Sequence, residues 1–141
     1  MQNIKILIPL LEALLNKEVA LSLSNNPREL GEKQKGYIQR VGTKFVIFEV
    51  IIWNGIIKNQ SKIITQVPIE KIAEIKIVHP PKEIFSLLTS TEIRVFIITK
   101  DYSDISGTLE KVEGENIYLR KNKTITEQPI DEIKTLYIYL S

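Results

Sequence analysis

VPIEKIAEIKI at 67–77 and QPIDEIKTLYI at 128–138 are two versions of one pattern. Pro68, Ile69, Glu70, Ile72, Ile75 and Ile77 match Pro129, Ile130, Asp131, Ile133, Leu136 and Ile138 at a constant offset of 61. In both, the Pro-led PIEKI or PIDEI reads as a single tight turn, and the alternating apolar residues after it read as a short strand.

Upstream of these blocks, GYIQRVGTKFVIF (36–48) matches GTLEKVEGENIYL (107–119) at an offset of 71. Gly36, Ile38, Val41, Val46 and Phe48 face Gly107, Leu109, Val112, Ile117 and Leu119. The two offsets differ by ten, so the first copy carries a ten-residue insertion between these blocks. Further upstream, LLNKEVALSL (14–23) resembles LLTSTEIRVFI (87–97) with a one-residue slip. Two copies of one module therefore fill the 141 residues, 1–78 and 79–141, joined at His79-Pro80-Pro81.

Each copy begins with a short helix. Leu7, Leu10, Leu11, Leu14 and Leu15 lie on one helical face. Pro9 is expected in the helix's first turn, where a missing N–H costs nothing, and Pro81 plays that part for KEIFSLL. Five β segments follow in each copy: EVALSL, KGYIQRV, TKFVIFEVIIW, IIKNQSKIITQV and AEIKIV, then EIRVFIIT, ISGTLEKV, ENIYLRK, KTITEQP and TLYIYL. Short strands rich in β-branched residues, with turn signals at close spacing, predict a mainly β chain of two small barrels.

The insertion lengthens one hairpin of the first copy. Asn54-Gly55, between two apolar runs, is a type I′ turn signal. The strand before it is apolar on both faces: Val46, Phe48, Val50 and Ile52 on one, Phe45, Ile47, Ile51 and Trp53 on the other. Such a strand has to be covered twice. A barrel buries one face; the second calls for the other copy, the N-terminal helix or another chain. Ile51 and Trp53 are accordingly candidate partner-interface residues. So are Tyr137 and Tyr139 of LYIYL, read as an exposed closing strand.

Composition excludes several classes. With no Cys and one His, neither a thiolate zinc site nor a multi-His metal site is available. No cofactor is expected. His79 sits in the inter-repeat junction and reads as a linker residue. Asp101 and Asp104 in KDYSDISG read as turn chemistry. The six glycines are scattered, with no phosphate loop. The expectation is a non-catalytic protein. The N-terminal apolar run lacks a signal-peptide pattern and no run is long enough to span a membrane, which predicts a cytoplasmic chain. The abundance of Ile (25), Lys (15) and Glu (14) suits a hot-growing or AT-rich source.

Net charge is +2, but residues 1–78 carry 11 Lys+Arg against 7 Glu, and 79–141 carry 8 against 10 acids. Basic residues gather at turns: Arg28, Lys33 and Lys35; Arg40 and Lys44; Arg120, Lys121 and Lys123. They can neutralise phosphates. They are also interleaved with Glu29, Glu32, Glu113, Glu115 and Glu127, as on an ordinary solvated face.

A helix, a five-stranded barrel, a Gly-x-apolar strand and a tight turn before the last strand together resemble the Sm-like (Lsm and bacterial RNA-chaperone) fold. The resemblance is clearest in GTLEKVEGENIYL, which looks like the first Sm motif, with Gly107 and Leu109 in place and Asn116 at the base-binding Asn, one residue short in spacing. Glu115 stands where the family has Met, the Ile-Arg-Gly of the second motif is absent, and Gly42 and Phe45 occupy the first copy's equivalent positions. The resemblance implies an oligomeric RNA-binding protein. Asn116 would contact a base, with Arg120, Lys121 and Lys123 on phosphates and Arg40 and Lys44 as first-copy counterparts. It also implies rings closed by pairing strand four of one barrel with strand five of the next. VPIEKIAEIKIV also looks like the closing strand of PRC-barrel domains, which implies a protein-interaction module without nucleic acid. The partners in view are thus RNA, further copies of the chain, or another protein.

Overall fold

A computed structural model describes residues 4–23, 34–54, 59–89 and 91–140, without the side chains of residues 4, 5, 34, 51–54 and 59–61. The chain is mainly β. Its order is α1 (Ile4–Ala13), β1 (Glu18–Leu23), β2 (Gln34–Val41), β3 (Phe45–Asn54), β4 (Asn59–Pro68), a 3-10 turn (Ile69–Lys71) and β5 (Ile72–Val78). The same order follows again: α2 (Lys82–Leu88), β6 (Arg94–Thr99), β7 (Asp104–Glu113), β8 (Asn116–Lys121), β9 (Thr124–Pro129), a 3-10 turn (Ile130–Glu132) and β10 (Ile133–Tyr139). The strands form one open antiparallel sheet in the order β4-β3-β2-β1-β5-β10-β6-β7-β8-β9. That order reads the same from either end once each strand is replaced by its repeat counterpart.

The chain divides into two compact units, residues 1–73 and 74–140. The division falls inside β5, upstream of the sequence junction at His79. The reason is hydrogen bonding: β5 pairs with β10, Glu74 to Val78 lying opposite Tyr139 to Thr135.

In the first unit, Leu7, Leu10, Leu11 and Leu14 of the N-terminal segment are buried together with Val19, Leu21, Ile38, Val46, Phe48, Val67 and Ile69. Pro9 does not open the helix. It lies inside α1 and is exposed. An interior proline loses a hydrogen bond, at a cost of roughly 3 kcal/mol. Burial of four leucines, at about 1.5–3 kcal/mol each, outweighs it. One face of β3 is core, through Val46, Phe48 and Val50, while on the other Phe45 is exposed and Ile47 half-buried. The Asn54-Gly55 turn extends beyond the described residues, as do the side chains of Ile51 and Trp53.

In the second unit, Ile84, Phe85 and Leu88 of α2 are fully buried, at the same spacing as Leu10, Leu11 and Leu14 of the first. They pack in a unit whose core also holds Val95, Ile97, Leu109, Ile117, Leu119, Ile133, Leu136 and Ile138. Pro81 sits immediately before α2 with extended backbone.

The irregularities repeat as faithfully as the strands. β2 shifts register against β3 between Ile38 and Arg40, and β7 against β8 between Leu109 and Lys111, the same positions at offset 71. A bulge bends its strand and tightens the twist. Just before each bulge stands a glycine whose Cβ would strike the facing strand. At Gly36 it would meet the carbonyl oxygen of Glu49 and come within 2.8 Å of the Phe48 ring; at Gly107 it would meet the Arg120 carbonyl. The Ile69 N–H donates to the Lys44 carbonyl at 2.9 Å, and the Ile130 N–H to the Glu115 carbonyl at 2.9 Å. Asn16 and Glu92, each two residues before its strand, both have φ of 61°. The register corrects the upstream alignment. Val19 lies opposite Gly36 and Val95 opposite Gly107, so the first strands correspond at an offset of 76, and the slip is three residues rather than one. β3 and β4 run ten residues each against six for β8 and β9, which accounts for most of the insertion.

Candidate functional site

Asn116 opens β8, half-buried, opposite Glu113 on β7 and Pro129 on β9. Lys121 closes the same strand, and Lys123 lies in the turn to β9; both are exposed. Five residues of extended chain separate Asn116 from Lys121, about 16 Å. The expected base contact and two of the expected phosphate contacts thus lie at opposite ends of one strand. Arg28 and Lys33 lie outside the described residues.

Arg120 is engaged by a carboxylate. Its Nε donates to Glu110 Oε2 at 2.9 Å and its Nη2 to Glu110 Oε1 at 2.7 Å. Glu110 is the extra residue of the β7 bulge. The guanidinium holds the Glu110 carboxyl below its ordinary range, and the carboxylate raises Arg120 in turn. Lys111 pairs with Glu113 at 2.9 Å and lies 4.8 Å from the Tyr118 ring centroid. That ion pair lowers Glu113 and raises Lys111. Tyr118 donates to Glu127 at 3.1 Å, and the neighbouring carboxylate pushes its phenol upward. Lys82 pairs with Glu115 at 3.0 Å.

The first copy builds the same corner from different residues. Gln39, the counterpart of Glu110, donates to Glu49, the counterpart of Arg120. Lys62 adds an ion pair to Glu49 at 3.5 Å. Its counterpart at offset 61, Lys123, lies in the β8–β9 turn and makes no ion pair among the described residues.

Arg40 and Lys44 are not the counterparts of Arg120, Lys121 and Lys123. At offset 71 they correspond to Lys111 and Glu115, beside the β2–β3 turn. Glu110, which decides the electrostatics of Arg120, carried no sequence motif; only the repeat alignment with Gln39 could have drawn attention to it.

The proposed partner strand is also relocated. β10 is not an exposed edge: β5 lies on one side of it and β6 on the other. Tyr137 is half-buried, edge-to-face with Phe96 at 5.9 Å and 63°. Tyr139 is exposed at the strand end. The two outer strands do carry exposed aliphatic side chains: Ile64 on β4 is 67% exposed, and Ile125 on its counterpart β9 is 50% exposed.

Asp101 accepts a hydrogen bond from Thr99 and another from the Ser103 N–H at 3.3 Å, and these hold its carboxyl low. This is turn chemistry. Among the described residues no three His, Asp or Glu side chains gather where a metal ion could be held, and no helix is long and apolar enough to cross a membrane. No family model matches the chain, and no curated protein matches it.

Proposed function

We propose that this chain is a non-catalytic assembly module of the cytoplasm, made of two tandem small barrels of the Sm- or SH3-like kind and acting through strand edges. The repeated order of helix, four strands, 3-10 turn and closing strand supports that barrel reading, as do the bulges and glycines at matching positions of the two copies. Small-barrel geometry is what the Sm-like and PRC-barrel resemblances have in common. One observation carries the choice of protein over RNA. The strongest cation of the expected RNA surface, Arg120, is forked onto Glu110, while β9 presents Ile125 to solvent. Light scattering coupled to size exclusion, on protein stripped of nucleic acid, is the test. An assembly larger than 16.2 kDa with no dependence on nucleic acid is expected. A monomer that binds single-stranded RNA overturns the proposal.

The second reading is an oligomeric Sm-like RNA-binding protein. It is favoured by Lys121 and Lys123, which stand exposed at one hairpin tip. On that reading, Lys121→Ala with Lys123→Ala lowers RNA affinity and flattens its dependence on salt. Unchanged binding removes it.

A further inference from the structure

We infer that β9 is the contact between two copies of this chain, paired antiparallel about a two-fold axis at Ile125. This rests on the assembly reading above and names its surface. Asn122, with φ of 57°, and Lys123 form a two-residue turn that closes the hairpin on the Lys121–Thr124 pair. In such a hairpin the closing pair is hydrogen-bonded, and bonding alternates thereafter. Thr124, Thr126 and Gln128 therefore bond inward to β8. The N–H and C=O groups of Ile125 and Glu127 point outward from the sheet. Pro129, which has no N–H, takes the next outward place and ends the pairing edge.

A second β9 laid against this edge puts Ile125 against its own copy. Thr124 then faces Thr126 of the second copy, and Lys123, in the turn just outside the strand, comes beside Glu127 of that copy, twice over by symmetry. Both opposite-charge and β-branched cross-strand pairs favour association. An interface of this kind closes on itself as a dimer. The charge match is specific to β9. The same self-pairing of β4 about Ile64 sets Lys62 against Gln66, and Lys62 already has Glu49. In the second unit that acid is replaced by Arg120, which is forked onto Glu110, and Lys123 makes no ion pair among the described residues, so the carboxylate it gains is the second copy's. The edge that a ring closed through the last strand needs is occupied, since β10 lies between β5 and β6.

The full chain is tested by sedimentation equilibrium and amide exchange. The expected result is a concentration-dependent dimer of 16.2 kDa chains in which the Ile125 and Glu127 amides gain protection on dimerisation. Lys123→Glu and Glu127→Lys each raise the dissociation constant about tenfold, and the two together restore it. Glu127 also accepts from Tyr118, so restoration by the charge swap is a result that a purely local role does not give. A dimer indifferent to both substitutions overturns this interface and leaves the assembly reading standing. Growth beyond the dimer, abolished at Lys62 as well as Glu127, overturns it in favour of head-to-tail pairing of β4 with β9. A monomer overturns it outright, and RNA binding by that monomer overturns the assembly reading too.

Discussion

Lys76 on β5 lies directly opposite Tyr137 on β10, its ammonium 5.7 Å from the ring centroid, and the two are the same position of the two repeats. The offset of 61 that aligns VPIEKIAEIKI with QPIDEIKTLYI carries residue 76 onto residue 137. On either side, Ile75 faces Ile138 and Ile77 faces Leu136, and the repeat exchanges these two pairs. A local two-fold relation therefore passes between Lys76 and Tyr137. The closing strands of the two copies meet as identical partners would in a symmetric dimer.

The centre of that ladder is stabilised by side chains as well as by backbone. Replacing Tyr137 with Leu removes the contact with Lys76 and the edge-to-face contact with Phe96, and is expected to cost about 1–2 kcal/mol. A double-mutant cycle of Lys76→Met and Tyr137→Leu in urea unfolding should return a coupling of about 0.5–1 kcal/mol. Strict additivity would mean that the ammonium and ring do not interact.

The two glycines before the bulges are expected to resist the smallest enlargement. Gly36→Ala and Gly107→Ala each force a methyl onto the neighbouring strand. Each should lower stability by about 1–3 kcal/mol, as overpacking does. Thermal unfolding measures this, and similar losses from both mutants would show that the copies share one constraint. An unchanged melting temperature would mean that the strands separate at no cost.

Acid should dissolve the Arg120–Glu110 fork. The Glu110 carboxyl titrates below its ordinary value of 4.5 because Arg120 holds its charged form. Its stabilising contribution is thus present above the unfolded-state value and is lost as pH falls through the lowered folded-state value. Carbon-13 NMR of the Glu110 carboxyl should show the depressed midpoint, and Arg120→Gln should return it upward. A midpoint that ignores Arg120 would remove the pairing.

Each helix should be indispensable to its unit. Leu11→Ala in the first and Phe85→Ala in the second delete fully buried side chains at matching positions. The expected losses are about 2–5 and 3–5 kcal/mol respectively. Denaturant midpoints would read them, and losses below about 1 kcal/mol would mean that the helices fray without disturbing the sheet.

Much of this architecture was legible in the sequence. The repeat at offsets 61 and 71, both helices, the ten β segments and the Pro-led turns are written in residues close together along the chain. Alternation of apolar residues, proline's fixed φ and glycine's missing side chain act over a few positions, so they can be read locally. The candidate site was less legible. Arg120 read as a phosphate contact because the sequence does not show that a bulge brings Glu110 against it. Pro9 read as a helix start because the propensity cost of an interior proline is local, whereas the leucine burial that offsets it is not.

By itself, the sequence determined that one module occurs twice and what each copy contains. Only the tertiary structure decided which strand meets which: β5 with β10, and β9 left at the edge. Every strand edge offers the same row of N–H and C=O groups, so local chemistry cannot choose among them. The choice is made by the register and bend that bring two edges to the same place, and these depend on residues far apart in the chain.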